Sequence, residues 1–203
     1  MLLYNSVGPN PRVVRIFVAE RGIELPKVEV DIRGGENRRE PYLSKNPTGT
    51  CPALELDDGT VLAEITAICE YLDEVTPGPS LIGGTPTERA ETRMWARRID
   101  LHIIEPMTSG FRYTDGLRMF QNRMHCIPAA GEDLKQIAQE KLTWLDGQIA
   151  GRQFVCGDRL SLADILLFGF LDFFDGLRQP INPENQHIVA WHSRMKARPS
   201  ATA

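Results

Sequence analysis

Two nearby segments of the chain contain the residues best suited to binding a small peptide. The first is 46–54, Asn-Pro-Thr-Gly-Thr-Cys-Pro-Ala-Leu, and the second is 62–72, Leu-Ala-Glu-Ile-Thr-Ala-Ile-Cys-Glu-Tyr-Leu. Pro52 opens a short apolar strand, and because proline has no N–H, the residue before it can keep backbone groups free for an outside chain. A bound peptide could add there as a further strand.

The second segment would bind the carboxylate of such a peptide. A strand over 60–63 follows the turn at residues 58–59, and a helix is predicted to begin near Glu64. The first N–H groups of a helix have no partner within it and attract anions. The two segments together therefore predict a site for an extended peptide that carries an amino-acid carboxylate.

These segments resemble the glutathione site of the cytosolic glutathione S-transferase superfamily, whose N-terminal domain carries N-P-x-G-x-x-P-x-L and, later, E-S-x-A-I-x-x-Y-L. The positions that fall on the family pattern are Pro52, Leu54, Glu64, Ala67, Ile68, Tyr71 and Leu72. Ile65 breaks the pattern, since the family has serine there. The segment from Pro9 to Ile16 resembles a bacterial branch of the family.

The resemblance implies that glutathione is the co-substrate. The residues it assigns to glutathione binding are Asn37, Thr50, Cys51, Pro52, Glu64 and Ile65. Glu64 would pair with the ligand's ammonium group, and the N–H of Ile65 would bind its carboxylate. The missing serine hydroxyl is expected to weaken binding by about 1–2 kcal/mol, roughly five- to thirtyfold, unless Thr66 or a partner subunit compensates.

The resemblance also implies the backbone geometry at Pro52 and the residues that bind the glycine end of glutathione. The Cys51–Pro52 bond is expected to be cis. The glycine end of glutathione needs a cation or an amide, for which Asn37 ranks first because the resembling branch tends to have histidine there. The further candidates for this end are Arg38, Arg39 and Lys45.

A glutathione transferase makes the thiol of glutathione more acidic so that its thiolate attacks an electrophile. A free thiol has a pKa of about 8.5, and one charge-assisted hydrogen bond with a helix N-terminus can lower it by about two units. The family places the donor just after the first strand. Ser6 carries the only hydroxyl of that loop, Asn10 is its rival, and a backbone amide is a third candidate. Ser6 could equally be a turn residue and Asn10 only a helix cap.

The order of elements predicts an α+β protein with a thioredoxin-like domain over residues 1–76. Its expected elements are strands at 2–4, 27–32, 53–56 and 60–63 and helices at 11–21 and 64–75. Asn10 is the expected N-cap of the first helix, with Pro11 at its first position and Gly22 at its end.

Residues 77–86 are rich in proline and glycine and predict a linker. The rest, 87–203, is predicted to be an all-helical domain that lines the acceptor pocket, with Phe111 and Tyr113 in that lining. Its expected helices lie at about 87–105, 107–121, 130–150, 161–176 and 185–197. Pro106 should kink or end the first of them, and Ser161 with Asp164 should form a capping box that serves folding.

Composition excludes several other classes of function. A net charge of −4 without a run of basic residues argues against nucleic acid as the main partner. No leader and no apolar run of about 20 residues is visible, so a cytoplasmic protein without a membrane partner is expected. The four cysteines are far apart, which predicts reduced thiols and no metal site.

The sequence therefore predicts an enzyme, a glutathione S-transferase that conjugates glutathione to an electrophilic small molecule in detoxification. The resemblance also implies a homodimer. A glutathione-dependent lyase, ether-cleaving or peroxide-reducing enzyme would use the same thiolate on another acceptor. A non-catalytic glutathione-binding regulatory protein is the alternative from another class, and Ile65 favours it.

Overall fold

The computed structural model describes residues 1–203, which form two compact units. The first consists of Met1–Gly84 together with Pro199–Ala203, and the second is Thr85–Arg198. The helical domain predicted for residues 87–203 includes residues 199–203, whereas in the structure these residues pack with the first unit. Their contacts there include a hydrogen bond from Arg12 Nη2 to the carbonyl oxygen of Ala201 (3.0 Å) and one from Ser200 to Glu20.

The first unit is built on a four-stranded sheet of the order β2-β1-β3-β4. Its strands are β1 (Leu2–Asn5), β2 (Lys27–Glu29), β3 (Ala53–Glu55) and β4 (Val61–Ala63). β1 runs parallel to β2 and antiparallel to β3, which is in turn antiparallel to β4. This confirms the thioredoxin-like fold. β2 is shorter than predicted because the chain turns after it, where the N–H of Ile32 bonds to the carbonyl of Val30.

The strand registers bring three chain segments to one end of this sheet. Tyr4 is opposite Ala53, and Ala53 is opposite Ala63. One residue further, the end of β1 at Asn5, the residue before β3, Pro52, and the residue after β4, Glu64, therefore lie in a row. A helix begins beyond β1 and another beyond β4, so both helix N-termini are at this same end.

The first of these helices, α1 (Pro9–Arg21), begins two residues earlier than predicted. Its N-cap is Gly8, with φ 118°, and Pro9 takes the first helical position, where a missing N–H costs nothing. The expectation that Asn10 is the N-cap and Pro11 the first residue is therefore wrong, because Pro9 satisfies the same rule earlier. Gly22 ends the helix with φ 62°, as predicted.

Two further helices belong to the first unit. α2 (Tyr42–Lys45) is a single turn that follows a 3₁₀ turn at Glu36–Arg38, and α3 (Ile65–Val75) follows β4. α1 and α3 pack against each other, and α3 contributes the fully buried side chains of Ile68, Cys69 and Leu72. Burial of these apolar side chains fixes the direction of α3, and with it the position of the helix N-terminus at the end of the sheet.

The second unit is entirely helical, as predicted. Its α-helices are α4 (Pro86–Ile99), α5 (Glu105–Tyr113), α6 (Leu117–Phe120), α7 (Gly131–Gln148), α8 (Leu162–Asp175) and α9 (Gln186–Lys196). α8 is buried over most of its length, and the Ser161–Asp164 capping box predicted at its start is present. Every helix of the chain is too short or too polar to traverse the hydrocarbon core of a membrane.

Pro106 does not end or break the first long helical stretch of this unit. α4 continues through a π-helical turn at Asp100–Ile104 directly into α5, with the N–H of Glu105 bonded to the carbonyl of Asp100. In a regular α-helix the ring of Pro106 would clash with the carbonyl four residues earlier. The wider π turn accommodates the proline, so the expected interruption becomes a bulge within a continuous helix.

Candidate functional site

The loop before β3 is held in place by its own polar side chains. Asn46 Nδ2 donates to the carbonyl oxygen of Thr50 at 2.8 Å, and the Tyr42 hydroxyl donates to the same oxygen at 2.7 Å. Asn46 Oδ1 also accepts from the Thr48 hydroxyl at 2.8 Å. Sequence reasoning missed Tyr42 and Asn46 as the residues that shape this loop, although asparagine before Pro-x-Gly is a turn signal.

Cys51 presents its backbone rather than its side chain at this edge. The Cys51–Pro52 peptide bond is cis, as expected. The backbone N–H and C=O of Cys51 have no hydrogen-bond partner in the chain. Its thiol points toward Tyr42, with Sγ 3.3 Å from the hydroxyl oxygen, and burial raises the pKa of the thiol. A protonated, half-buried thiol does not act as a nucleophile at neutral pH.

Glu64 precedes α3 in an uncommon backbone conformation. Its φ of 67° lies in the left-handed region, which costs on the order of 1–3 kcal/mol for a residue other than glycine. The carboxylate is exposed and has no ion pair within the chain. The conformation directs the start of α3 toward the end of the sheet, and such strain is typical of a ligand-binding position.

The N-terminus of α3 carries unpaired backbone donors. The first hydrogen bond of the helix is from the N–H of Ile68 to the carbonyl of Glu64 at 3.0 Å. The N–H groups of Ile65, Thr66 and Ala67 therefore have no partner within the helix. The half-buried Thr66 carries a hydroxyl one position beyond Ile65. This arrangement can bind a carboxylate.

Ser6 already uses its hydroxyl hydrogen. The residue is only 4% exposed, and its Oγ donates to the carbonyl oxygen of Val30 at 2.6 Å. A hydroxyl has one hydrogen to donate. Ser6 therefore ties the end of β1 to the chain after β2, and it would have to give up this buried hydrogen bond to donate to a thiolate.

Asn10 is the second residue of α1, and its half-buried side chain has no hydrogen-bond partner in the chain. Its neighbours Pro9 and Pro11 have no N–H, and the N–H of Arg12 bonds to the carbonyl of Gly8 at 3.3 Å. Of the first three residues of α1, Asn10 alone has a backbone N–H. This helix N-terminus can thus offer one amide of the backbone and one of the side chain.

A polar network that sequence reasoning missed supports the end of β1. Arg15 Nη1 donates to Asn5 Oδ1 at 2.8 Å, and Asn5 Nδ2 donates to Glu29 Oε1 at 2.6 Å. Burial lowers the pKa of Arg15, and the nearby Glu29 carboxylate opposes that shift. The guanidinium stays charged because its ordinary pKa is far above neutrality. Nothing in the local pattern around Arg15 distinguishes it from a surface arginine.

Asn37 supports the loop before β3. Its Nδ2 donates to the carbonyl oxygen of Gly49 at 2.5 Å, while its Oδ1 is buried without a partner. Gly49 has φ 62°, and a Cβ there would lie 3.0 Å from the backbone oxygen of Asn37. One of the two Nδ2 hydrogens of Asn37 is therefore engaged with Gly49, and the exposed Thr50 follows directly.

The two side chains predicted to line the acceptor pocket point to different places in the helical unit. Tyr113 lines a cavity of about 490 Å³ between α5 and α7, together with Glu105, Ser109 and Lys141. Phe111 instead packs edge-on against Phe120 and Phe174, with ring centroids 6.3 and 5.7 Å away. The structure does not bring Phe111 and Tyr113 into one cavity.

Comparison with known proteins identifies both parts of the chain. Residues 7–75 match the family described as glutathione S-transferase, N-terminal domain, and residues 128–199 match the family described as glutathione S-transferase, C-terminal domain. The bacterial branch stays a prediction, because similar proteins come from yeast as well as from bacteria.

Three similar proteins cover almost the whole chain. Glutathione S-transferase 2 of Saccharomyces cerevisiae is 34% identical over 98% of this chain and 87% of its own length. The crystal structure of a glutathione S-transferase domain-containing protein of Marinobacter aquaeolei is 38% identical, with a TM-score of 0.92 over 98% of this chain and 99% of that one. A glutathione transferase homologue from Sulfitobacter, solved with bound glutathione, is 25% identical, with a TM-score of 0.81 over 99% and 94%.

Proposed function

Because the chain belongs to the glutathione S-transferase superfamily and is an enzyme that uses glutathione, we propose that it joins the glutathione thiolate to an electrophilic carbon of a small molecule. The observation that carries the proposal is the row formed by the end of β1, Cys51–Pro52 and Glu64, beside two helix N-termini. Neighbouring strands are about 4.8 Å apart, so the row spans about 10 Å from β1 to β4, close to the reach of three extended residues.

Glutathione would add to this row as a short strand. The N–H and C=O of its cysteine would pair with the unpartnered backbone groups of Cys51, next to Pro52 and Thr50. The ammonium of the γ-glutamyl group would pair with the exposed Glu64 carboxylate. Its carboxylate would accept from the free N–H groups of Ile65 and Thr66 at the start of α3.

The chain offers few free side-chain donors for the glycine carboxylate of glutathione. Asn37 would act there by holding Gly49 and Thr50 in place, since its amide donates to Gly49. Arg39 donates to the carbonyl of Gly34 at 2.8 Å, and Lys45 pairs with Glu55 at 2.8 Å. Arg38 remains the candidate cation for the glycine carboxylate.

Asn10 and the N-terminus of α1 would stabilise the thiolate. A hydrogen bond to a charged group contributes about 1.5–3 kcal/mol, which corresponds to about one to two units of thiol pKa. Asn10 has a side-chain amide with no partner, whereas the Ser6 hydroxyl is engaged with Val30. We therefore rank Asn10 before Ser6 as the activating residue.

The reaction is a nucleophilic attack in which a new C–S bond forms. In a substitution the leaving group departs with its bonding electron pair. In an addition to an activated double bond no group leaves, and the displaced π electron pair of that bond takes up a proton from water. Glutathione loses its thiol proton before the attack, so the rate should rise with pH through the pKa of the bound thiol.

A titration of thiolate ultraviolet absorbance with saturating glutathione tests this proposal. A bound thiol with a pKa well below the free value supports an activated nucleophile, and Asn10→Ala should raise that pKa while Ser6→Ala leaves it near the wild-type value. An unshifted titration of the wild-type complex would refute activation and favour a non-catalytic glutathione-binding protein. Equal effects of the two variants would refute the ranking.

The class of acceptor and the oligomeric state are the remaining parts of the proposal. A lyase, ether-cleaving or peroxide-reducing enzyme would need the same thiolate, so product analysis with each acceptor class decides among them. We also propose a cytoplasmic homodimer without metal or nucleic acid, with light scattering of the purified protein as the check on the dimer.

A further inference from the structure

A half-buried arginine joins α1 to the end of β1. Arg15 Nη1 donates to Asn5 Oδ1 at 2.8 Å and to the carbonyl oxygen of Ser6 at 3.2 Å. Asn5 Nδ2 donates in turn to Glu29 Oε1 at 2.6 Å. We refer to these four residues, Arg15, Asn5, Ser6 and Glu29, as the Arg15 network. Through one amide, the network joins a cation on α1 to an anion on β2.

The network fixes the loop that leads to α1. Residues 6–8 alone separate β1 from this helix. Long side chains of a helix lean toward its N-terminus, so Arg15 can reach back to Asn5 and Ser6. These two residues are each only 4% exposed. The contacts therefore hold the start of α1, and Asn10 with it, in one position relative to the row at the end of the sheet.

A neutral donor would hold this loop at a lower cost. Both acceptors of Arg15 are uncharged amide oxygens, whereas withdrawal of a charged group from water is costly. Burial lowers the pKa of Arg15, Glu29 opposes that shift, and Arg12 on the same helix adds to it. Arg12 itself donates to the carbonyl oxygen of Ala201 at 3.0 Å. A cation kept at this cost next to the start of α1 indicates a role for its charge.

The two charges of the network differ in how strongly they act on the loop. Arg15 is half-buried and contacts the loop directly at Ser6. Glu29 is exposed, and it belongs to β2, which β1 separates from β3 and Pro52. Water and salt screen an exposed charge more than a half-buried one. The positive charge of Arg15 therefore outweighs the negative charge of Glu29 at the start of α1.

We propose that Arg15 is a positioning residue that makes the thiol of bound glutathione more acidic, because it holds the start of α1 in place and supplies a positive charge there, which Glu29 moderates. This inference rests on the proposed function and deepens it, since it names what sets the acidity of the thiol. A unit charge about 10 Å from the sulfur, two strand spacings, would change the pKa of the thiol by about 0.3–1.2 units.

A titration of thiolate ultraviolet absorbance at saturating glutathione, on the full-length protein, tests the inference. Arg15→Met keeps a long side chain without the charge and should raise the pKa of the bound thiol by about 0.5–1 unit. Arg15→Lys keeps the charge and should stay within about 0.3 units of wild type. Glu29→Gln keeps an acceptor for Asn5 without the negative charge, so it should lower the pKa by about 0.2–0.4 units.

Lys27→Met is the matched control, since Lys27 is an exposed cation that lines the same cavity as Arg15 and begins β2. Its thiol pKa should stay within about 0.2 units of wild type, because exposed charges are screened. A second readout is the pH profile of kcat/KM with an uncharged electrophile. In Arg15→Met the rising limb should move to higher pH by the same amount as the thiol pKa. A purely structural loss would lower the rate at every pH and leave the limb in place.

The outcomes separate this inference from the proposed function. An unchanged pKa in Arg15→Met, or an equal rise in Arg15→Lys or Lys27→Met, would show that the network only holds the loop, while conjugation itself stands. If Arg15→Met does not fold, Glu29→Gln decides, and a pKa that is unchanged or raised there refutes the inference. If the wild-type complex shows no lowered thiol pKa, the proposed activation fails and the inference fails with it.

Discussion

The two helix N-termini at the end of the sheet differ in what they offer to an anion. α3 begins with three consecutive residues whose N–H groups are unpaired, Ile65, Thr66 and Ala67, and Glu64 precedes them with an unpaired carboxylate. α1 begins with Pro9, Asn10 and Pro11, so a single backbone N–H is present. The first terminus is suited to an amino-acid group with both charges. The second offers one backbone N–H and the Asn10 side chain, which under the proposed function would stabilise a thiolate.

The contrast implies that binding and activation of glutathione are separable. Loss of a contact at α3 should weaken affinity without changing the acidity of the thiol. Loss of a contact at α1 should change the acidity and leave most of the affinity, because the γ-glutamyl contacts persist. Four substitutions test this separation.

Glu64→Gln should have the largest effect. Removal of the charge that pairs with the ligand ammonium is expected to weaken glutathione binding by about ten- to a hundredfold. Isothermal titration calorimetry gives the affinity, and the absorbance titration at saturation should give an unchanged thiol pKa. Glu74→Gln, at the other end of α3, is the control. A raised thiol pKa in Glu64→Gln would contradict the separation of the two ends.

Ile65→Ser should strengthen binding, because it supplies a hydroxyl beside the carboxylate at the start of α3. The expected gain is about 1–2 kcal/mol, roughly five- to thirtyfold in affinity. Ile65→Ala changes the size of the side chain without adding a donor, so it separates the hydrogen bond from relief of bulk. Unchanged affinity in Ile65→Ser would mean that the Thr66 hydroxyl already donates to the carboxylate or that residue 65 is not beside it. The double variant Ile65→Ser with Thr66→Val distinguishes these two explanations.

Asn10→Ala should raise the pKa of the bound thiol by about one unit, since the side-chain amide is lost while the backbone N–H remains. The sign follows from stabilisation of the thiolate: without it the proton is held to higher pH. The pH profile of kcat/KM should shift upward by the same amount, while the affinity for glutathione at low pH changes little. A large loss of affinity instead would place Asn10 in peptide binding.

Pro11→Ala should have the smallest effect of the four, and it should change the pKa of the bound thiol in the direction opposite to Asn10→Ala. It restores an N–H at the third position of α1, and one more donor near the helix terminus should lower the bound thiol pKa by a few tenths of a unit. Gly22→Ala alters the far end of the same helix and is the control for general destabilisation. An unchanged pKa in Pro11→Ala would mean that the terminus of α1 acts through Asn10 alone.

Local patterns predicted the backbone geometry at Pro52 and the start of α3 better than they predicted the start of α1 and the contacts of Ser6. Pro52, Glu64 and the start of α3 depend on neighbours within about ten residues, which a sequence displays directly. The role of Ser6 depends on Val30, and that of Asn37 on Gly49, and neither pairing leaves a local signature. Two nearby prolines each fit the first position of α1, and the sequence rule alone could not choose between them.

In the helical unit, too, local signals were predictable from the sequence, whereas features without a local signature were not. The capping box at Ser161 and Asp164 is a local signal and was predicted correctly. The prediction that Pro106 kinks or ends the helix did not anticipate the π turn at Asp100–Ile104, which accommodates the proline within a continuous helical stretch. The buried donors of Thr108 and Arg112 are visible only in the structure, because their neighbours along the chain do not explain them.

The inclusion of Pro199–Ala203 in the first unit has a consequence for biosynthesis. The ribosome delivers residues 1–84 early, but Arg12 and Glu20 on α1 receive Ala201 and Ser200 as partners only when the last residues of this sequence emerge. The first unit therefore receives one part of its chain before the helical unit is synthesised and another part after it. Its nascent form must persist, with these contacts of α1 unmade, while the entire helical unit is being synthesised.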